Sequence, residues 1–238
     1  MIGVTENLAE IQRFVADSSI QAGRDPSEIT IVAVSKRQSV AKIAEAADWG
    51  QRHFAENFVA EALGKRGNLA DRHLIWHFIG RIQSNKTRSV AENFDWVHTV
   101  DRSKIAERLS KQRPFHAPEL NVCIQMNIDH ESSKSGVNES NVFELAEIIS
   151  GLPRLRLRGL MCIPRPETDF ERQRKPFARL RACRDRLNAG GFSLDALSMG
   201  MSNDIRAAIF EGATLLRIGT AIFGEREPVS FQSTRADS

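Results

Sequence analysis

Lys36 ends the run Ile29 to Ser35, which is mostly apolar and β-forming. A lysine that ends a buried strand can be held partly out of water, which lowers its pKa and makes the neutral amine available to attack a carbonyl carbon. Two later segments carry the groups that a phosphate needs. Ser198-Met199-Gly200-Met201-Ser202 and Arg217-Ile218-Gly219-Thr220 each offer a glycine that lets backbone approach a ligand, together with N–H and hydroxyl donors. Taken singly these are ordinary features, because most lysines at strand ends are solvated and a serine opening a helix more often caps it. Their value depends on whether the fold brings them together.

Other groupings stop short of a chemistry. Gly80-Arg81-Ile82-Gln83-Ser84-Asn85-Lys86-Thr87 nearly fits the nucleotide-binding pattern G-x-x-x-x-G-K-[ST], but Asn85 stands where the second glycine lets that loop wrap a phosphate. His73 and His77 are four apart, yet His77 falls in a run read as strand, so the two do not share a helical face and no metal site is expected. Cys123, Cys162 and Cys183 are odd in number and widely spaced, which fits buried thiols in a reducing compartment rather than a disulfide framework. The stretch Arg165 to Arg186 mixes its arginines with Glu167, Asp169, Glu171 and Asp185. Phe170, Phe177, Leu180 and Leu187 make an apolar stripe along it, so it reads as a solvated amphipathic helix and not a nucleic-acid patch.

The elements that must position these residues alternate. Strand-like runs fall at Ile29–Ser35, His53–Glu56, Ile75–Ile79, Trp96–Val100, Leu120–Ile128, Leu157–Ile163, Ala196–Met199 and Thr214–Ile218. Between them lie stretches of helical period. Val40, Ile43, Ala44 and Ala47 share one face, as do Val142, Leu145, Ala146 and Ile149, and Ile205, Ala208 and Ile209 mark the last helix. Asp101 or Ser103 is expected to cap a helix around Ile105 to Leu109, with Gly50, Gly151 and Gly212 at helix C-termini. An extra helix with Leu8, Ile11, Phe14 and Val15 on one side precedes the first strand.

Eight strand–helix units in about 200 residues, with no linker between them, point to a single (β/α)8 barrel rather than a doubly wound open sheet. The whole chain, 1–238, is then one domain with a polar, frayed tail at 225–238.

Composition agrees. The chain has 238 residues, 41% of them hydrophobic, enough for one substantial core, and a net charge of +3 that demands no nucleic acid. No apolar stretch approaches the length of a membrane span and the N-terminus lacks the layout of a signal peptide, so a soluble cytoplasmic protein is expected.

In such a barrel the loops after the strands converge at one mouth, and the first and eighth strands are neighbours on closure. Lys36 is thereby brought beside Gly219 and Thr220, with Ser202 from the seventh strand and Asn57 and His77 from the second and third. An amine nucleophile beside a phosphate cradle is the set that pyridoxal 5'-phosphate requires.

These residues also resemble a known family. Val32-Ala33-Val34-Ser35-Lys36, Glu56-Asn57, Trp76 to Gly80 with Gln83, Asn85 and Lys86, and Ser133-Lys134-Ser135-Gly136 are similar in type and order to the pyridoxal phosphate homeostasis proteins. So are Leu157 to Met161, Leu197 to Ser202 with Asp204, and Arg217 to Gly224, so that the likeness spans nearly the whole chain. The resemblance implies a barrel like the N-terminal domain of alanine racemase, with Lys36 as the Schiff-base lysine. It further implies that Ser202, Gly219 and Thr220 hold the phosphate, that Arg217 faces the pyridine nitrogen, and that Asn57 and His77 lie near the cofactor. Phe58, Ala55 and Arg37-Gln38 depart from the family's more frequent residues.

The function so implied is to bind pyridoxal 5'-phosphate and to buffer or deliver it, with apo forms of enzymes that use it as partners and a monomeric state. An arginine stays protonated and cannot give its proton to the ring, so it disfavours the pyridinium that makes the cofactor a strong electron sink. A racemase or related amino-acid enzyme is the alternative. It is disfavoured because a two-base racemase needs a second acid/base, a tyrosine from another domain in alanine racemase, and this chain has no tyrosine.

Overall fold

A computed structural model describes residues 3–129 and 135–224; the tail at 225–238 and the pair Ser133-Lys134 lie outside the described residues. The chain begins with helix α1 (Val4–Gln21), then alternates β1 (Thr30–Val34), α2 (Val40–Asp48), β2 (His53–Glu56), α3 (Val59–Gly67), β3 (Ile75–Phe78) and α4 (Thr87–Asn93). It continues with β4 (Trp96–Val100), α5 (Ser103–Gln112), β5 (Leu120–Met126), α6 (Val142–Ser150), β6 (Leu155–Cys162), α7 (Phe170–Ala189), β7 (Ala196–Ser198), α8 (Ile205–Phe210), β8 (Leu215–Ile218) and α9 (Thr220–Phe223). Each strand pairs in parallel with the next, and β8 returns to β1 with Val32 opposite Arg217 and Ala33 opposite Ile218, closing the barrel.

Two apolar layers follow from the strand period of two. Inside the barrel lie Val32, Val34, Ala55, Trp96, Cys123, Met161, Ala196 and Leu215. The alternate residues, such as Ala33, Phe54, Val97, Leu160 and Leu216, join a larger core with Ile43, Ile105, Leu109, Ile149 and Phe177 from the surrounding helices. The strands therefore read as near-continuous hydrophobic runs, because both of their faces are covered.

Six strands begin or end one or two residues away from the sequence reading, as at β5 and β6, and four local details differ beyond that. In α1 the buried face runs through Val4, Leu8 and Val15, while Phe14 is exposed, since it sits about 100° around the helix from Val15. Neither Asp101 nor Ser103 caps α5; Arg102 occupies the N-cap with no side-chain cap, and Asp101 pairs with Arg102 at 2.6 Å instead. Gly50 and Gly212 follow their helices at φ 120° and 89°, conformations that suit glycine, whereas Gly151 is the cap itself at φ −82° and needs no glycine. The amphipathic helix begins at Phe170 rather than Arg165, with Asp169 accepting the N–H of Arg172.

In the segment that nearly fits a nucleotide loop, Thr87 is buried, its hydroxyl donating to the Ser84 carbonyl and accepting from Arg108 Nε, so it serves the fold. The three cysteines are buried, and burial pushes the Cys123 and Cys162 thiols up to about 12, which leaves them unreactive. No helix among the described residues is long and apolar enough to cross a membrane.

Candidate functional site

Alternation along each strand sorts the candidate residues. Val32 and Val34 face the barrel interior, so Ser35 turns toward the helices and Lys36 is in phase with the interior at the C-terminal mouth. The same count puts Asn57 in phase with Ala55, His77 with Ile75, Ser198 with Ala196, and Arg217 and Gly219 with Leu215.

The backbone on either side of Lys36 is clamped. Lys65, buried on α3, donates to the Ser35 carbonyl at 2.7 Å, to Glu56 Oε1 at 2.8 Å and to Glu61 Oε1 at 2.7 Å. The Ser35 hydroxyl donates to Glu56 Oε1 at 2.6 Å, and the N–H of Arg37 donates to Glu61 Oε1. Arg37 itself turns through φ 60°, a conformation that costs a residue with a side chain about 1 kcal/mol and is held here by these bonds. Burial pushes the Glu56 carboxyl up, against the pull of Lys65 and Ser35.

The loops after β7 and β8 meet on the same rim. The N–H of Arg217 donates to the Gly200 carbonyl at 3.0 Å, and the N–H of Ala221 reaches the Ser202 hydroxyl at 3.4 Å. Gly219 packs on β1, and a Cβ there would stand 3.2 Å from the Val34 carbonyl oxygen. Thr220, exposed, opens α9 directly after it. The lysine strand and the two glycine-bearing loops are therefore contiguous although more than 160 residues separate them in the chain.

Below the rim, Arg217 is buried. Its NH1 donates to the Ser198 hydroxyl at 2.7 Å and its NH2 to the Cys162 carbonyl at 2.9 Å, and desolvation holds its pKa below the usual arginine value. Neither hydrogen-bond partner is charged, and the carboxylate whose charge acts on the guanidinium is Asp204, beside the loop after β7. From Ser198 a row of imidazoles crosses the barrel: Ser198 Oγ to His98 Nδ1 at 2.7 Å, His98 Nε2 to His77 Nδ1 at 2.8 Å, and His77 Nε2 to His53 Nδ1 at 2.9 Å.

His77 thus has a partner on each ring nitrogen and stacks on Trp96, with ring centroids 5.5 Å apart. Burial holds His98 down to about 3 and His77 well below the ordinary histidine value, so both rings are neutral. Asn57 lies beside Gly80, and its side-chain oxygen is buried without a hydrogen-bond partner.

The sequence points to Lys36, Asn57, His77, Ser202, Arg217, Gly219 and Thr220. The structure adds His53, His98 and Lys65. The first two were legible in the alternation, which puts His53 in phase with Ala55 and His98 in phase with Trp96. Lys65 carries no local signal, because it reaches the site from the far side of the strand wall.

Comparison with known proteins identifies the family and the barrel. The family "Alanine racemase, N-terminal domain" matches residues 18–227. The pyridoxal phosphate homeostasis protein of Pseudomonas aeruginosa is 53% identical over 227 residues, which cover 95% of this chain and 97% of that protein. Its namesake from Escherichia coli K12 is 48% identical over 230 residues, covering 95% and 98%. The structure of PipY from Synechococcus elongatus PCC7942 with PLP bound matches with a TM-score of 0.82 at 34% identity, over 93% of this chain and 100% of that one. Alanine racemase from Bacillus anthracis, at 21% identity and a TM-score of 0.69 over 96% of this chain and 57% of that one, shares the fold. The chain belongs to the family of pyridoxal phosphate homeostasis proteins, on a barrel shared with the N-terminal domain of alanine racemase.

Proposed function

We propose that this protein binds pyridoxal 5'-phosphate at the C-terminal mouth of its barrel and serves as a cytoplasmic reserve that holds and releases the cofactor. The observation that carries the reading is the seating of Gly219 against Val34, which sets the phosphate-type loops beside the strand that presents Lys36. Two further features fit an anionic, polar ligand. Arg217 is a buried cation whose hydrogen-bond partners are both uncharged, and the Asn57 side-chain oxygen is buried and has no hydrogen-bond partner among the described residues.

In this reading Lys36 supplies the amine that captures the aldehyde. Ser202, Gly219 and Thr220 donate to the phosphate, Asn57 meets a polar group of the ring, and Arg217 meets the ring nitrogen. His77 acts from beneath, since both of its nitrogens already have partners. The bound cofactor supplies an electrophilic carbon and a conjugated ring. The chain's own groups restrain that chemistry, because Arg217 donates a hydrogen bond without giving up its proton. A binding role, with apo-enzymes as recipients, follows more naturally from this than racemisation.

Borohydride reduction of the loaded protein followed by peptide mapping should find the pyridoxyl group on Lys36; recovery on Lys65 or Lys86 would refute the assignment. Racemisation of an amino acid at a kcat of about 1 to 1,000 per second, the ordinary enzymatic range, would overturn the reserve role. Transfer is tested by mixing loaded protein with an apo-enzyme across a dialysis membrane and without one. Faster activation without the membrane indicates direct delivery.

A further inference from the structure

The row Arg217–Ser198–His98–His77–His53 has a direction, and the direction can be read from chemistry alone. Arginine has donors and no acceptor, so Ser198 Oγ accepts from Arg217 NH1. Among the described residues the Ser198 side chain has one other hydrogen-bond partner, His98 Nδ1. If that nitrogen carried the proton, the hydroxyl hydrogen of Ser198 would be buried with no acceptor, at a cost that native interiors avoid. Ser198 therefore donates to His98 Nδ1. His98 then carries its proton on Nε2 and donates to His77 Nδ1, and His77 likewise carries its proton on Nε2 and donates to His53 Nδ1. Each of the four donors in the row points away from Arg217, and each of the three groups between Arg217 and His53 has one assigned role.

We propose that Ser198 and His98 are positioning residues for Arg217: the one-way row locks the NH1 arm onto Ser198, the Cys162 carbonyl locks NH2, and Nε is left as the donor for the ring nitrogen of the bound vitamer. Nε makes no hydrogen bond among the described residues, while both terminal nitrogens do. The guanidinium is planar, so fixing two of its nitrogens fixes the line along which the third donates. The inner barrel supports the row mechanically, with His77 stacked on Trp96 at an interplanar angle of 13° and set edge-on to His98 at 69°. The neutrality of both rings is consistent with burial and with the positive charge of Arg217 close to His98. This role rests on the cofactor reading above.

The test has one arm that needs no cofactor. Long-range 1H–15N correlation of the histidine rings in the unliganded protein should show His77 and His98 as neutral Nε2–H tautomers near pH 7. An Nδ1–H tautomer at His98 would overturn the direction of the row. In the second arm, equilibrium dialysis compares pyridoxal and pyridoxal 5'-phosphate on the unaltered protein, Ser198→Ala, Ser198→Thr and Ser202→Ala.

Ser198→Ala should weaken both vitamers by the same factor, about tenfold for one misdirected charged donor. Ser198→Thr, which keeps the hydroxyl, should restore both, and Ser202→Ala should affect only the phosphorylated form. Unchanged affinity in Ser198→Ala overturns the positioning role. If the unaltered protein binds neither vitamer, the cofactor reading and the positioning role fail together, while the tautomers still report the row by themselves. The tautomer measurement also stands if Ser198→Ala does not fold.

Discussion

Lys65 donates to the carbonyl oxygen of Ser35 at 2.7 Å, so a buried lysine on α3 holds the residue immediately before Lys36. The same ammonium spends its other donors on Glu56 and Glu61, and Glu61 takes the N–H of Arg37 immediately after Lys36. One charge cluster in the layer between barrel and helices thus fixes both flanks of the candidate amine.

Removing Lys65 leaves Glu56 buried without its cation. Lys65→Met should therefore cost about 3–5 kcal/mol of folding stability, measured by urea denaturation. A double-mutant cycle with Glu56→Gln should return a coupling of about 1–3 kcal/mol, and strictly additive losses would show that the two charges are not energetically paired.

Lys36→Ala is expected to behave in the opposite way. Lys36 is partly exposed at the mouth and its neighbours are held by Lys65, so stability should stay within about 1 kcal/mol of the unaltered protein. Borohydride trapping should be lost. A protein that unfolds on this change would assign Lys36 a structural role instead.

Gly219 faces the Val34 backbone at close range, and its φ of −116° imposes no glycine-only conformation, so its role is space rather than flexibility. Gly219→Val should push β1 from β8, costing about 1–3 kcal/mol, and should impair binding of the phosphorylated vitamer more than Ser202→Ala does. Equal losses in the two variants would place the phosphate away from Gly219.

Acid should destabilise the protein earlier than carboxylates alone require. His77 and His98 are neutral in the folded state, with His98 near 3, whereas an unfolded histidine titrates at about 6.5. Between those values the unfolded chain binds more protons, so stability falls as pH falls. Each of the two rings contributes a slope of about 1.4 kcal/mol per pH unit. Glu56 and Asp204, both raised by burial, act with the opposite sign above their unfolded values and offset part of the slope, while His53, lowered by burial, adds to it. Stability flat from pH 6.5 to 5 would show that the imidazoles are not held neutral.

The strand–helix alternation was legible because each period is local: a strand such as Trp96–Val100 or His53–Glu56 announces itself within five residues, and both were read to the residue. So was the candidate amine at a strand end, and so were the two glycine-bearing segments, since residue type and neighbours carry those signals. The exposure of Phe14 and the uncapped start of α5 were not, because a one-position shift in helical phase or a competing Asp101–Arg102 pair is decided by which partners happen to be within reach.

What only the tertiary structure decided is everything that depends on closure. The contact of Gly219 with Val34, the reach of Lys65 to Ser35, and the row from Arg217 through Ser198 and His98 to His53 each join residues from different strands or helices. Sequence sets which side of a strand a residue takes, through a period of two; the distance between two such residues is set by strand register and barrel curvature, which no local pattern encodes.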